Sequence, residues 1–200
     1  YELYDYSKGA VETQNLAQQQ PQLVKELAAK LATYPEPISR SGRRNGKVIS
    51  PSPKIADKSL HIEAEIQLKA QTTPQGVLLA QGGKEHGYAI HWLKGKLAFD
   101  VRVNGNVARV QINAPTKGKV RVVAVLDQQV MSLEVEGARA KMDSPGLIPV
   151  QPKDDLSIGF DDQTAAGNYN PPNSCNGKVL SYSVNNHHLD LFDFLQRQSF

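Results

Sequence analysis

The stretch Leu60–Lys69, LHIEAEIQLK, decides the fold class of this 200-residue chain. Apolar residues occupy every second position, and polar residues fill the positions between them. The apolar set is Leu60, Ile62, Ala64, Ile66 and Leu68. Side chains of a β-strand alternate between its two faces, so this pattern predicts a strand that buries one face and exposes the other.

Comparable short segments continue toward the C-terminus, with turn residues between them. They are GVLLAQGG, YAIHWL, KLAFDVRV, ARVQIN, KVRVVAVL, VMSLEVEG, LSIGF and KVLSYSV. Lys94-Gly95 and Asn104-Gly105 predict tight hairpin turns, and Asn-Gly is a strong signal of this kind. Many short strands at regular spacing predict a mainly β protein, with an antiparallel β-sandwich or jelly roll over residues 58–186.

The segment before the sandwich has a different pattern. A short strand is predicted around Tyr4, and a helix is predicted to begin at Pro21 and to end before Pro35. Residues 1–34 therefore form a first region of one strand and one helix. Residues 35–57 are rich in Pro, Gly, Ser and Arg, which is typical of a linker. Residues 187–200 are interpreted as a C-terminal tail.

Composition limits the classes of function. The chain is 40% hydrophobic and 22% charged, and no apolar run approaches the roughly 20 residues of a membrane helix, so we expect no membrane association. The cluster of basic residues at Arg40, Arg43, Arg44 and Lys47 is short and has no aromatic residues between its members, so nucleic acid is not an expected partner. The single cysteine, Cys175, excludes an internal disulfide framework. Because the chain begins at Tyr1 and carries no signal peptide, we interpret it as part of a longer protein.

The first region resembles a known family. Glu2-Leu3-Tyr4-Asp5 and Glu12-x-x-Asn15-Leu16-Ala17 are similar to the closing segment of type I sulfatases, in which E-L-Y-D-L leads to D-P-x-E-x-x-N-L. Lys8-Gly9-Ala10 replaces the usual Asp-Pro portion. The resemblance implies that residues 1–34 are the last strand and helix of the C-terminal subdomain of a bacterial arylsulfatase. It also implies a parent that hydrolyses sulfate esters in the periplasm or outside the cell.

The β-rich region resembles a second module. GVLLAQGGKEHGYAIHWLKGKLAFDV and LSIGFDDQTAAGNY are similar to the concanavalin-like, laminin-G-like module that follows the catalytic part of some bacterial arylsulfatases. Cys175 stands where that module commonly has an aromatic residue. The resemblance implies a non-catalytic accessory module that binds or positions carbohydrate, with the parent's own catalytic domain as a partner. The alternative is a structural module that packs on the catalytic domain or mediates oligomerisation.

Two catalytic interpretations can be weighed from the sequence. A sulfatase needs cysteine in a C-x-P-x-R context, but Cys175 is followed by Asn176, Gly177, Lys178 and Val179. We therefore predict that the fragment is not an enzyme. Glu63 and Glu65 are two positions apart and so share one face of the predicted strand, as the paired carboxylates of some glycosidases do. The alternative is that this face is simply the solvent-exposed face of the strand.

Four residues are candidates for ligand binding. His86, in a Gly-rich turn, and Trp92 could contact a sugar, although Trp92 shares a strand face with Tyr88, a pattern typical of a core. Arg43 and Arg44 could bind sulfate groups of a glycan, because guanidinium groups match oxyanions. The alternative for these arginines is a solvated linker.

A structural calcium ion is the one cofactor that the sequence suggests. Asp161 and Asp162, with Asp154 and Asp155 nearby, are hard oxygen ligands in loops on either side of one predicted strand. The laminin-G-like resemblance adds that such modules often hold calcium near the sandwich rim. The alternative is that these Asp residues cap turns.

We expect the chain not to hydrolyse aryl sulfates, because the Pro and Arg of the sulfatase motif are missing after Cys175. The measurement is turnover of a chromogenic sulfate ester by the purified chain. Activity that survives repurification and disappears in Cys175→Ala would contradict this prediction.

Overall fold

The computed structural model describes residues 3–5, 15–31, 46–70 and 72–185. The chain divides into two compact units, Tyr1–Gly42 and Arg43–Phe200. Among the described residues, no helix is both long and apolar enough to cross a membrane. The predicted tail at 187–200 and the candidate residues Arg43 and Arg44 lie outside the described residues.

The first unit contains helix α1, Pro21–Leu31, which begins at Pro21 as predicted. Proline is well tolerated there because the first helical N–H has no intrahelical partner. Ahead of the helix, Asn15 Oδ1 accepts hydrogen bonds from the backbone N–H groups of Leu3 (3.1 Å) and Ala17 (3.0 Å). The Leu16 N–H donates to the Leu3 carbonyl at 2.7 Å. The backbone of Leu3 is thus held by the turn that leads into α1.

The second unit is built from β-strands. In the described residues they are β1 (Lys47–Ile49), β2 (Leu60–Leu68), β3 (Val77–Gly82), β4 (Gly87–Leu93), β5 (Lys96–Val103), β6 (Asn106–Asn113), β7 (Gly118–Leu126), β8 (Val130–Val135), β9 (Ala138–Asp143), β10 (Leu156–Ile158), β11 (Phe160–Asp161), β12 (Asn173–Ser174) and β13 (Lys178–Asn185). No helix interrupts this series within the described part of the unit.

The strands form two sheets. The first sheet has the order β1-β10-β3-β4-β5-β6, with β11 and β12 beside this path. The second sheet has the order β13-β2-β7-β8-β9. The pairs along both paths are antiparallel, whereas β12 pairs with β3 in parallel.

Strand β2 has the alternation that its sequence predicts. Its five apolar side chains are each at most 3% exposed, while the polar positions between them are partly or fully exposed. It pairs with β7 over its whole length, from Leu60 opposite Leu126 to Leu68 opposite Gly118, and with β13 on its other side. The strand is therefore interior to the second sheet and half-buried between core and solvent.

The inner faces of the two sheets meet in one apolar core. The first sheet contributes residues such as Tyr88, Ile90 and Phe99, and the second contributes residues such as Val122 and Leu133. Burying a large apolar side chain completely stabilises the fold by roughly 1.5–3 kcal/mol. The predicted antiparallel β-sandwich is confirmed.

Two hairpin turns fix the middle of the first sheet. Lys94 and Gly95 have φ of 49° and 80°, and Asn104 and Gly105 have φ of 49° and 78°. Two successive positive φ values are typical of the type I′ turn, whose twist matches that of the strands it joins. Both hairpins were predicted, and they hold β4, β5 and β6 as consecutive neighbours.

Part of the predicted linker belongs to the sandwich. Lys47–Ile49 forms β1 and pairs with β10, and Ile55 is fully buried in the core. The Ile55 N–H donates to Gln151 Oε1 at 2.8 Å. Proline, glycine and serine are frequent in residues 35–57, but a few apolar residues are enough to pack residues 47–57 onto the sheets.

Two glycines provide a matched test of the close contact between β12 and β3. Gly76 has φ of +94°, and a Cβ there would lie 2.0 Å from the Ser174 carbonyl oxygen, whereas Gly95 has φ of +80° and open space around it. We expect Gly95→Ala to lower the free energy of unfolding by about 1–2 kcal/mol through backbone strain alone. Gly76→Ala should lower it by at least about 3 kcal/mol, because the backbone of Ser174 must also move. Equal losses for the two variants in urea denaturation would contradict this account.

Candidate binding site

The outer face of the first sheet carries a polar cluster that is largely covered. Strand alternation turns Tyr88, Ile90 and Trp92 inward, so His91 of β4 faces outward, as does Asp100 of β5. Both side chains are nevertheless 0% exposed. Residues 161–170 cover this face of the sheet, where Ala166 and Tyr169 pack with the alanines of β3 and β4.

Arg102 of β5 fastens the covering segment to the sheet. Its guanidinium donates from Nε to the carbonyl of Ala166 at 3.0 Å and from Nη2 to that of Gly167 at 3.2 Å. Its Nη1 donates to the carbonyl of Gly105 at 2.8 Å, at the β5–β6 turn. One side chain therefore links the covering segment to a hairpin that is far from it in sequence.

Gly167 allows this segment to lie close to the buried carboxylate. A Cβ at this position would be 2.9 Å from Asp100 Oδ2 and 3.1 Å from the Ala89 Cβ. The next residue donates its backbone N–H to the same oxygen, with Asn168 N 2.8 Å from Asp100 Oδ2. The absence of a side chain at Gly167 is what lets the backbone bond to the carboxylate.

Asp100 is the centre of the cluster. It accepts hydrogen bonds from Arg109 Nε at 2.6 Å and Arg109 Nη2 at 2.7 Å, and His91 Nε2 lies 2.9 Å from its Oδ2. Burial alone would raise the pKa of Asp100, but the hydrogen bonds from His91 and Arg109 outweigh it and lower this pKa to about 2. Asp100 is thus an ionised, fully buried carboxylate with several donors around it.

Arg109 connects the cluster to solvent. Its side chain is 23% exposed, whereas its partner Asp100 is 0% exposed. The guanidinium binds the carboxylate side-on through Nε and Nη2, which leaves Nη1 on the opposite edge of the planar group. Gln111, exposed and two residues further along β6, projects on the same side of the strand.

Tyr169 closes the cluster from above. Its ring lies 5.0 Å from the His91 ring at an interplanar angle of 57°, and its hydroxyl donates to Asp161 Oδ2 at 2.5 Å. Burial and the adjacent Asp161 carboxylate raise the pKa of Tyr169, so the phenol keeps its proton. Arg109, Gln111, Asn168 and Tyr169 define what we call the outer-face site.

The predicted sugar-binding pair does not come together. Trp92 faces the core and is 6% exposed, and its buried Nε1 has no hydrogen-bond partner among the described residues. His86 lies at the other end of β4, in the turn after β3, where its Nδ1 accepts a hydrogen bond from the Asn104 N–H at 3.3 Å. Of the two, only His86 is accessible to a ligand.

The predicted calcium ligands have other partners in this structure. Asp161 is 2% exposed, and it accepts hydrogen bonds from Tyr169 and from the Gln163 N–H at 3.0 Å. Burial raises the pKa of Asp161, and the Tyr169 hydrogen bond opposes this shift. Asp162 is half-buried beside it. The described residues contain no group of three or more His, Cys, Asp or Glu side chains arranged to hold a metal ion.

The carboxylates of β2 are ion-paired on the solvent face. Glu63 lies 2.9 Å from Arg121 Nη2, and Glu65 lies 2.7 Å from Lys119 Nζ. The hydrogen bond from Arg121 is the main cause that lowers the pKa of Glu63. These contacts agree with the solvent-face interpretation of the two glutamates.

Comparison with known proteins identifies solved structures that have a similar fold. No protein-family model matches the chain, and no curated protein matches it. Among solved structures, domains LG4-5 of the mouse laminin α1 chain match with a TM-score of 0.57 at 14% identity, covering 72% of this chain and 40% of that one. The LG1-3 region of the laminin α2 chain matches with a TM-score of 0.56 at 17% identity, covering 70% of this chain and 30% of that one.

A third match is NanB in complex with Optactamide, with a TM-score of 0.52 at 12% identity, covering 76% of this chain and 27% of that one. The chain thus spans less than half the length of each of these three proteins. The likeness shows that the second unit has the laminin-G-like, concanavalin-like β-sandwich fold.

The stability that the buried Asp100 carboxylate contributes to the fold should depend on pH in a defined way. The pKa of Asp100 is lowered from 3.8 to about 2 in the folded state, so its ionisation stabilises the fold above about pH 4, and this stability is lost as the pH falls toward 2. We expect Asp100→Asn to lower the free energy of unfolding by about 2 kcal/mol or more at pH 7, with the deficit shrinking between pH 4 and pH 2. Asp143→Asn, on the exposed strand β9, serves as the control and should change stability by less than about 0.5 kcal/mol. A deficit that is the same at pH 7 and pH 2.5 in urea denaturation would contradict the prediction.

Proposed function

We propose that the second unit is a carbohydrate-binding module and that the outer-face site holds the ligand. The observation that carries the proposal is the partly exposed guanidinium of Arg109, which the buried Asp100 fixes on one edge. Sugar hydroxyl groups bind to converging donors and acceptors, and the amide side chains of Gln111 and Asn168 would supply both. The half-buried Tyr169 side chain would supply an apolar contact.

Preorganisation favours Arg109 as the group that binds the ligand. A free arginine loses side-chain entropy when it binds, but this one is already held by two hydrogen bonds to a carboxylate that is itself held by His91 and Asn168. The remaining edge of the guanidinium can donate to a hydroxyl, a carboxylate or a sulfate oxygen. This chemistry suits neutral and acidic sugars.

We further propose that the chain is the C-terminal, non-catalytic part of a sulfatase-like hydrolase, a sulfuric ester hydrolase of bacterial and exported type. The support is the resemblance of residues 1–34 to the closing segment of type I sulfatases and the lack of the C-x-P-x-R context around Cys175. On this proposal the parent's catalytic domain is a partner, and a sulfated glycan is the favoured ligand. Arg43 and Arg44 would then be a second place where sulfate groups could bind.

Calcium at Asp161 and Asp162 stays a prediction from the sequence. Both oxygens of Asp161 already accept hydrogen bonds, one from Tyr169 and one from Gln163. An ion at this position would share the Asp161 oxygens with those two hydrogen bonds. No part of the proposed binding step depends on a metal.

A glycan array that carries matched sulfated and unsulfated sugars tests the binding proposal. We expect the chain to bind a defined subset of glycans, and we expect Gln111→Ala and Arg109→Ala to weaken that binding at least tenfold, a loss of about 1.4 kcal/mol. Gln67→Ala changes an exposed glutamine on the opposite sheet and is the matched control, which should bind as the unmutated chain does. Circular dichroism of Arg109→Ala checks that the variant is folded.

Two results would contradict the outer-face site. One is the absence of binding to any glycan on the array. The other is binding that Gln111→Ala and Arg109→Ala retain but that the double variant Arg43→Ala, Arg44→Ala loses. In that case the affinity should also fall steeply with salt, because exposed charges are screened within about 10 Å at 0.1 M.

A further inference from the structure

Positive charge is concentrated in the strands that form the outer-face site. Residues 87–113 comprise β4, β5, β6 and the turns between them, and they contain one acidic residue, Asp100. The same residues contain four cations, which are Lys94, Lys96, Arg102 and Arg109. This excess of cations equals the formal net charge of the whole chain, which is +3 at pH 7. The rest of the chain is therefore balanced in formal charge.

The single carboxylate of these strands does not offset the cations at the surface. Asp100 is 0% exposed and is bound by Arg109. Arg102 donates its hydrogen bonds to three backbone carbonyl groups, which carry no formal charge. Lys94 and Lys96 are exposed and make no ion pair with any described residue. A surface with this excess of positive charge attracts anionic ligands.

The acidic residues of neighbouring segments lie away from Lys96. Glu85 is beside Gly105, at the turn that follows β5, whereas Lys96 is the first residue of β5. Asp161 pairs with β12, which joins the sheet at β3, so β4 separates it from β5. Asp162 follows it in the chain. The carboxylates of β2, β8 and β9 lie on the outer face of the second sheet, on the other side of the core. These acidic groups therefore do not neutralise the end of β5 where Lys96 lies.

The strand registers place a second polar group beside the outer-face site. Lys96 pairs with Leu93 of β4 and with Asn113 of β6. Strand alternation puts these three side chains on the same face of the sheet as Arg109 and Gln111. Lys96 and Asn113 are exposed, and Leu93 is half-buried. We call Leu93, Lys96 and Asn113 the Lys96 subsite.

The Lys96 subsite is separated from Arg109 by more than the width of one sugar ring. Asn113 is four residues from Arg109 along β6, which corresponds to about 14 Å at roughly 3.4 Å per residue. Gln111 lies midway between them on the same face and is exposed. Among the described residues β6 is an edge strand, so a ligand can approach this row from the side. A sugar ligand that reaches both cations must therefore contain several sugar units.

We propose that the first sheet binds an acidic oligosaccharide, with one acidic group on Arg109 and a second acidic group on Lys96. This inference rests on the proposed carbohydrate role and narrows it to ligands with acidic groups on different sugar units. Carboxylate and sulfate groups share the required chemistry, since both are anionic oxygen acceptors. The guanidinium of Arg109 is held in one orientation by Asp100, whereas the ammonium of Lys96 binds from a flexible stem. Gln111 and Asn113 bond to hydroxyl groups of the intervening sugars.

Isothermal titration calorimetry with two series of acidic sugars tests the proposal. One series is galacturonic acid and its tetramer, whose acidic groups are carboxylates. The other is the disaccharide and the tetrasaccharide of κ-carrageenan, whose acidic groups are one and two sulfates. In the series that binds, we expect the longer ligand to bind about tenfold more tightly than the single-acid ligand, because its second acidic group binds intramolecularly. Lys96→Ala should reduce this affinity ratio about fivefold, the effect of losing one exposed ion pair.

The matched control is Lys141→Ala, which removes an exposed lysine from β9 of the second sheet and should leave the affinity ratio unchanged. Circular dichroism checks that both variants are folded. An affinity ratio near one, or a ratio that Lys96→Ala does not reduce, would overturn the Lys96 subsite. If Arg109→Ala still weakens binding in that case, the carbohydrate role of the outer-face site stands.

Two further outcomes would overturn the inference. One is that neither series binds, and the glycan array then decides the carbohydrate role separately through neutral sugars. The other is a single-stranded oligonucleotide that binds as tightly as the better tetrasaccharide and depends equally on Lys96. The surface would then select negative charge rather than an acidic sugar.

Discussion

Strand β2 can bury its apolar face only if its neighbours keep one register, and the rest of the sandwich depends on this constraint. A slip of one residue against β7 would turn the five buried side chains from Leu60 to Leu68 toward solvent and bring Glu63 and Glu65 into the core. Both carboxylates are ion-paired on the solvent face, to Arg121 and Lys119. The apolar face and the charged face thus specify the same register, and the second sheet becomes a fixed surface on which the first sheet packs.

The first sheet differs from the second, because both of its faces are covered at β4. Tyr88 and Trp92 fill the core, while His91, between them in sequence, lies beneath residues 161–170. A covered polar group must be hydrogen-bonded to be tolerated, and here Asp100 receives donors from two strands and from the backbone at Asn168. The same bonds that make burial tolerable fix the orientation of Arg109. The same hydrogen bonds therefore stabilise the covered face and order the side chains of the outer-face site.

The sequence was most informative where a local rule decides the structure. Period-two alternation predicted β2, Asn104-Gly105 predicted its hairpin, and Pro21 predicted the start of α1. The His91, Asp100 and Arg109 cluster was missed, because each residue lies in a separate strand and only the hairpin registers bring them together. One signal could have revealed it. Asp100 is the charged residue in the otherwise apolar run LAFDV, and strand alternation directs its side chain away from the core. Ile55 and β1 were missed because composition describes an average over residues 35–57, whereas packing depends on single side chains.

The proposed ligand site is the outer-face site of the first sheet. The most direct measurement is chemical-shift mapping on the ¹⁵N-labelled chain during titration with a glycan that the array identifies. We expect the largest changes on the backbone amides of Arg109, Gln111, Asn168 and Tyr169, with small changes on β2 and β7. Changes confined to the second sheet, or to the turn that holds His86, would contradict it.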